Sequence, residues 1–571
     1  MKKNKLSLLS SIFLLVGGMI GSAIFSLSGI TIEKAGPSAI ISWIIAAFVM
    51  FSYALICSEL AVRFPKSGGV FVFPSKALGK NEKEGEFFGF ISTFGYINSN
   101  CIAIAFSAIY IGTYLSVAFP SFSNMQIPIA IVAILFILLM NYIKITSNGK
   151  INAIMVIFLI IILVTIIYIS FSSNEWNINL LKPFFTQGTN GSFGFMSAVP
   201  TAMIGYGAVV AICFMVEEIE SPRKNIIKSI AISLIIVALL YALVIFSVVG
   251  LMDANTLKIK HYTYIPLYGV AFEIFKNNTF LPKIISIAAI LALLTTMSIT
   301  MLLGSRALKA IADAKIFPNI LSKESKNNTP IFASIVLSIV AIILSLFPNF
   351  VSYIVSFAVL FETITITLNI FSLIKSRKKI DKGEIVLSEK DFRLPFGLFF
   401  PIIVLIILIL CYIPDIISGG WKVFIFSAIW YTIAIIIFKF RKKNENFNII
   451  IEGLVIHGRG KGKTVGMPTA NIKYDIKDKL PKEGVYATEI YIDDEKFFGA
   501  TNVGLRPSVD KDEDITIETN IINFDRDIYD KKIKIKFLEL IRDVTKFNSI
   551  EEVKKQVDKD KEYILSKYMK E

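Results

Sequence analysis

GGMIGSAIF (residues 17–25) places three glycines within five positions of an apolar run that covers residues 8–30. Glycine inside a helix costs about 1 kcal/mol relative to alanine, so this run is poorly suited to one continuous helix. At mid-membrane depth a break is tolerated only where the backbone lines a protected cavity. A second interruption, IGYGA (204–208), lies in the apolar segment 193–216. Interrupted spans at corresponding places in two halves point to a transporter built from inverted repeats, with spans one to five pairing with six to ten. Freed N–H groups at such breaks suit a carboxylate, and freed carbonyls suit an amine or a cation. Close helix packing is the other reading of each glycine motif taken alone.

Working outward, the chain has 571 residues, of which 54% are hydrophobic. Twelve segments have the length and apolarity to cross a ~30 Å hydrocarbon core. They lie near 8–30, 38–62, 87–118, 127–143, 149–171, 193–216, 226–251, 281–306, 330–348, 350–374, 396–414 and 421–440. The apolar character ends at Phe440, and Arg441-Lys442-Lys443 follows. The net charge of +15 is unevenly placed. Residues 445–571 carry 23 basic and 25 acidic side chains, so the membrane part holds 36 against 19. That excess sits in alternate loops, a topology signal and not a nucleic-acid surface. It puts both termini in the cytoplasm of a multi-pass plasma-membrane protein, with the lipid bilayer as partner. The expected domains are 1–440, a linker at 441–449, and 450–571. Cys57, Cys101, Cys213 and Cys411 lie in apolar stretches without metal or disulfide spacing. The apolar run that follows MKKNK lacks a cleavage site and reads as a retained first span.

Residues 5–440 resemble the amino acid–polyamine–organocation transporter superfamily. The resemblance rests on GGMIGSAIF, on KAGPSAIISWIIAAFVMFSYALICSEL (34–60) with RFPKSGG (63–69), on GYGAVVAICFMVEEIESPRKNI (205–226), and on SRALKAIADAKIFP (305–318). It implies alternating-access transport of amino acids or related amines. It also implies that the backbone at Gly17, Gly18, Ile20, Gly21, Ser22 and Ala23 holds a substrate carboxylate. Ile204, Tyr206 and Gly207 would meet the amine. Lys150 falls where some sodium-independent members place an ammonium in lieu of sodium; a lysine snorkelling to water is the alternative. Glu59, Glu217 and Glu218, at span ends, read as gate contacts or helix ends. Ala23 stands where many members have glycine, and Ile204 where many have an aromatic gate.

The tail reads as β-rich. GVYATEIYI (484–492), ITIETNIINF (515–524) and KKIKIKFLELI (531–541) alternate or are β-branched. Residues 549–568 show helical periodicity, with Val553, Val557, Ile564 and Tyr568 near one face. A small closed barrel with a C-terminal helix fits. GRGKGKT (458–464) lacks the spacing and the strand–helix frame of a P-loop. Pro468-Thr469-Ala470-Asn471, just downstream, offers neutral oxygens suited to Mg²⁺ beside phosphates.

Residues 450–568 resemble riboflavin kinase. The matching runs are IHGRGKGKTVGMPTAN (456–471), LPKEGVYA (480–487), TNVGLRP (501–507), IETNIINFDRDIYDKKIKIKFLELIRD (517–543) and the terminal helix. The resemblance implies transfer of the ATP γ-phosphoryl group to riboflavin, giving FMN. Thr469 and Asn471 would coordinate Mg²⁺, and Glu518 would be the catalytic base. Gly458, Gly460, Lys461, Gly462, Lys463, Gly466 and Pro468 would wrap the nucleotide, with Arg542 in the same binding set. Asn520, Val544 and Met467 depart from the usual histidine, acid and aromatic residue. With only His261 and His457 in the chain, the histidine pair of the usual bacterial adenylyltransferase partner is missing, and the product is expected to stop at FMN. Two alternatives stay open: a catalytically silent tail that regulates transport, and a flavin carrier that traps its cargo by phosphorylation.

Overall fold

The computed structural model describes the chain apart from residues 1–4, 67, 144–148, 215, 217–218, 277–279, 326–328, 383–392, 395–396, 416, 418–419, 441–448, 458–468, 475–479, 482, 494, 506–514, 545–549 and 569–571. It separates into two compact units, Met1–Arg441 and Lys442–Glu571. The expected linker at 441–449 lies outside the described residues except for Ile449.

The first unit is helical. In chain order it has α1 (Leu8–Met19), α2 (Ser28–Ala35), α3 (Ala39–Arg63), α4 (Gly69–Ala77), α5 (Glu82–Ala118), α6 (Gln126–Ile143), α7 (Gly149–Ser172), α8 (Gly194–Ile204), α9 (Ala211–Phe214), α10 (Pro222–Val249), α11 (Ala254–Ile259), α12 (Pro266–Ile274), α13 (Phe280–Asp313), α14 (Ile331–Ser345), α15 (Val351–Asp381), α16 (Phe399–Asp415) and α17 (Trp421–Phe440). The first expected span is α1 and α2 joined by a π-helical turn, Ala23–Leu27. The sixth is α8, a 3₁₀ turn at Gly207–Val210, and α9, bent by 49° at the break. Among the described residues eight helical stretches are long and apolar enough to cross a membrane, nine if the bent pair counts as one. The longest, Leu8–Arg63, takes in the first two expected spans; α14 and α16 are apolar but shorter.

α4, α11 and α12 fall between the twelve expected spans, because each is too short to form a membrane-length run. Their ends are nevertheless marked locally. Asp253 caps α11 by accepting from the Thr256 N–H at 2.7 Å, and Pro266 opens α12 at a position where no donor is needed.

Packing follows the two-fold logic of the sequence. α1 packs on α10, and α3 packs on α8. In span numbers these are one–seven and six–two, the same contact after the halves are exchanged. The contacts of α6 with α13 and of α14 with α5 are related likewise, while α5 on α13 forms the centre. On the outside, Leu135, Ile154, Leu239, Ile409 and Phe426 are 50–68% exposed. So much outward apolar area suits hydrocarbon, where it carries no penalty.

The second unit is a closed antiparallel barrel of β1 (Ile450–Ile456), β2 (Ala470–Tyr474), β3 (Gly484–Ile492), β4 (Glu495–Leu505), β5 (Ile515–Ile521) and β6 (Lys532–Arg542), in the order β1–β2–β5–β4–β3–β6. Ile451, Val455, Ile490, Val503, Ile517, Ile535 and Phe537 fill its core. Three buried threonines form a hydroxyl chain inside: Thr488 to Thr501 at 2.7 Å, and Thr501 to Thr519 at 2.8 Å. α18 (Ile550–Tyr568) docks outside, with Ile564 buried beside Val485, Ala487 and Ala500. The sequence reading named β3, β5 and β6. It passed over β1, the five-residue β2, and β4, whose run is broken by Gly499 and Gly504.

Candidate functional site

In the helical unit the two breaks meet. The π-helical turn after the first break packs on α8, and α1 packs on the 3₁₀ turn after the second. Glycine is needed where they touch. A Cβ on Gly205 would stand 2.7 Å from the Trp43 ring and 3.1 Å from the Ala23 Cβ. A Cβ on Gly18 would stand 2.7 Å from the Ala208 Cβ. The packing reading of these glycines therefore holds alongside the broken-helix reading.

The freed backbone groups are served by distant side chains. The Ser22 N–H donates to Thr296 Oγ1 on α13 at 3.0 Å, and a Cβ on Gly21 would collide with that oxygen. The Met19 carbonyl accepts from the Tyr241 hydroxyl on α10. The Phe25 carbonyl accepts from Tyr114 on α5 at 2.5 Å. One donor expected for a substrate carboxylate is thus held by Thr296 in this conformation. Tyr206 is fully buried, edge-on to Trp43 and tilted against Tyr241. Its hydroxyl has no hydrogen-bond partner among the described residues. Ile20 is buried at the end of α1, and Ile204 is half-buried at the end of α8. Gly17 lies within α1. The side chain of Lys150, and all of Glu217 and Glu218, lie outside the described residues.

Glu59 is completely buried on α3 and takes four donors. Arg377 gives Nε at 2.8 Å and a terminal nitrogen at 2.5 Å; Arg63 and the Leu394 N–H each give one at 2.8 Å. This ties α3 to α15. Thr296, Trp43, Tyr241 and Arg377 were not singled out from sequence. Nor was Glu362, although it is the one acidic residue in the apolar run at 351–380.

In the barrel unit, strand register assembles a single row. Asn471 of β2 pairs with Glu518 of β5, Glu518 with Asn502 of β4, Asn502 with Val485 of β3, and Val485 with Arg542 of β6. Residues so paired have Cβ atoms about 4.5–5.5 Å apart. Asn471, Asn502 and Glu518 are half-buried, between fully buried neighbours on each strand. Thr469, also half-buried, precedes β2. Among the described residues no three His, Cys, Asp or Glu side chains converge. The oxygens at this row come instead from two neutral groups and one carboxylate. That set fits Mg²⁺ shared with phosphates better than an all-protein cage. Gly458, Gly460, Lys461, Gly462, Lys463, Gly466 and Pro468, with Met467, lie outside the described residues. Arg542, expected in the binding set, gives its guanidinium to the buried Asp560 of α18, Nε at 3.0 Å and a terminal nitrogen at 2.9 Å. Asn502 lies in the quoted TNVGLRP run, but only the register sets it beside Glu518.

Known proteins align with both units. The amino acid permease family profile covers residues 6–439. The chain belongs to the amino acid permease family. The riboflavin kinase profile covers residues 445–567, so this permease is fused to a riboflavin kinase domain. A cationic amino acid transporter 7, chloroplastic, of Arabidopsis thaliana is 27% identical over 57% of the permease fusion and 57% of its own length. The branched-chain amino acid permease BcaP of Bacillus subtilis (strain 168) is 26% identical over 76% of this chain and 92% of its own. The bifunctional riboflavin kinase/FMN adenylyltransferase of the same bacterium is 38% identical over 20% of this chain and 36% of its own. The permease fusion thus spans little more than half of the plant relative and about a third of the flavin enzyme. Its many apolar helices and its family make it a multi-pass membrane protein.

Proposed function

We propose that the permease unit carries amino acids or related amines across a bilayer by alternating access. The observation behind this reading is the meeting of the two helix breaks, with the unpartnered Tyr206 hydroxyl beside them. The matched relatives carry names for cationic and for branched-chain amino acids, so the class is kept at amino acids and related amines. Basic residues in alternate loops support termini on the cytoplasmic side. Uptake of labelled amino acids by proteoliposomes tests the reading, and uptake of riboflavin in their place defeats it.

The barrel unit, on this reading, transfers the γ-phosphoryl group of ATP to the 5′-hydroxyl of riboflavin and makes FMN. The observation behind it is the pairing of Asn471 with Glu518. Glu518 accepts the proton of the attacking hydroxyl, which needs a carboxylate within hydrogen-bond reach. Thr469 and Asn471 would hold Mg²⁺, which when bound neutralises phosphate charge during transfer. The glycine-rich segment 458–466 would wrap the phosphates with backbone N–H groups. Mixing the purified full chain with ATP, Mg²⁺ and riboflavin tests this; failure to form FMN defeats it.

A further inference from the structure

Two carboxylates lie inside the helical unit on α3 and α15, and the fold treats them differently. Glu59 receives two arginines and a backbone N–H. Glu362, midway along α15, receives no hydrogen bond and no ion pair among the described residues. Its Oε1 stands 3.2 Å from where a Cβ on Gly207 would be, so it faces the turn that follows the second helix break. The missing side chain at Gly207 is what leaves room for it. Tyr53 of α3 and Tyr96 of α5 are near enough to feel its charge. The Tyr53 hydroxyl accepts from Asn369 at 2.8 Å. On α16, Tyr412 bonds the adjoining Thr363 at 2.5 Å; on α17, Tyr431 packs on the adjoining Phe361. α8 carries no titratable side chain, and the one charged residue of α4 is Lys76.

An ionised carboxylate at the centre of a span is costly, and such groups mark ion or proton paths. A metal cation needs several oxygens, and no group of three His, Cys, Asp or Glu side chains gathers anywhere among the described residues. A proton needs only one carboxyl oxygen. We propose that Glu362 is the proton-binding group of the transport cycle. It takes a proton from water when the breaks are open to one side, and returns it to water when they are open to the other. The proposal rests on the carrier reading above.

The test uses the full chain in liposomes, with labelled leucine, arginine and aspartate as probes. Wild type is expected to accumulate at least one of them under an inward proton gradient, by up to about tenfold per pH unit for one proton per substrate. Glu362→Gln is expected to lose that accumulation but keep exchange of the same amino acid at equal pH. Glu362→Asp is expected to keep accumulation with a displaced pH profile. Gradient-driven accumulation by Glu362→Gln overturns the proposal, as does wild-type accumulation that follows sodium instead of protons. Loss of equal-pH exchange by a monodisperse Glu362→Gln makes the residue a substrate contact, and also overturns it. Infrared difference spectra between acid and neutral pH add a readout that needs no transport. A protonated-carboxyl band in wild type, absent from Glu362→Gln, supports the proposal; a band unchanged by the substitution overturns it. If wild type exchanges none of the three probes, the carrier reading falls, and the infrared result decides the proton site by itself.

Discussion

Glu59 and Arg377, 318 positions apart, meet side on in the interior of the permease unit, with Nε and a terminal nitrogen of the guanidinium on the two carboxylate oxygens at 2.8 and 2.5 Å. Arg377 also donates to the Gly397 carbonyl at 2.5 Å, which carries the link from α3 through α15 to the segment before α16. Removing one partner of a buried ion pair costs about 3–5 kcal/mol, because the remaining charge is left uncompensated. Arg377→Ala is therefore expected to lower the thermal midpoint of the purified permease by several degrees. Glu59→Gln combined with Arg377→Met is expected to lose less than Arg377→Ala alone. Equal losses would mean that the pair contributes no specific coupling.

Thr296 holds the Ser22 N–H at the first break, and the space for it exists because residue 21 has no side chain. Gly21→Ala is expected to displace the Thr296 hydroxyl and reduce amino acid uptake at least tenfold, an estimate of about 1.4 kcal/mol. Thr296→Ser keeps the acceptor and should retain most uptake; Thr296→Val should resemble Gly21→Ala. Uptake rates in proteoliposomes at matched protein density check the ranking.

Positioned bases contribute about 10²–10⁴-fold to proton transfer. Glu518→Gln is expected to reduce FMN formation by at least about a hundredfold while leaving amino acid uptake unchanged. Asn502→Ala, beside Glu518 in the same row, is expected to give a smaller loss. FMN is measured by chromatography after incubation with ATP, Mg²⁺ and riboflavin. A Glu518→Gln protein of wild-type rate would remove the residue from the reaction.

Thr501 sits between Thr488 and Thr519 and bonds to both. Thr501→Val takes the bonding partner from the Thr519 hydroxyl, at about 1–3 kcal/mol for an unsatisfied buried group, while Thr488 keeps its bond to the Gly499 carbonyl at 3.0 Å. Replacing all three by Val removes the need along with the bonds, and is expected to cost less than the single change. Thermal inactivation of FMN formation in the full chain reports the difference.

Two carboxyls tie down the barrel surface. Burial works against the charge of Glu489, but Lys496, Lys536 and Tyr491 outweigh it and hold the carboxyl below its usual range. Burial likewise opposes Glu539, and Lys567 and Tyr563 of α18 outweigh it. A depressed folded value contributes stability above the unfolded glutamate value of about 4.3, and that contribution is lost as pH falls through the folded value. Acid inactivation of FMN formation is therefore expected to set in below about pH 4 and to begin with α18. Glu539→Gln should flatten this dependence. An inactivation profile identical to wild type would deny Glu539 that part.

The breaks at residues 17–25 and 204–208 were legible because glycine clusters inside apolar runs have few other uses. Their partners were not. Thr296 and Tyr241 lie in unbroken apolar helices, where a hydroxyl ordinarily bonds its own helix, as Thr296 also does to the Ala292 carbonyl. Only the packing of α13 and α10 against the break turns them toward it. Glu362 is legible in the sequence as a lone acid deep in a span, whereas Glu59, Glu217 and Glu218 stand at span ends. In the tail, Asn471 and Glu518 were each readable from their motifs, but their adjacency is a property of register, and register depends on closure of the whole barrel. Asp560 is not among the residues that the helical periodicity of 549–568 marks. Its pairing with Arg542 needs α18 docked on β6, which no local pattern specifies.

The barrel closes from β1 round to β6, so among the described residues each strand has a neighbour on both flanks. Permeases confined to a bilayer diffuse in two dimensions, and their appended domains collide far more often than free ones at the same copy number. An open sheet border in that setting recruits strands from neighbours by backbone hydrogen bonding. A sealed ring offers no such handle. Copies of this fusion therefore offer one another no strand border through which their barrels could stitch into aggregates.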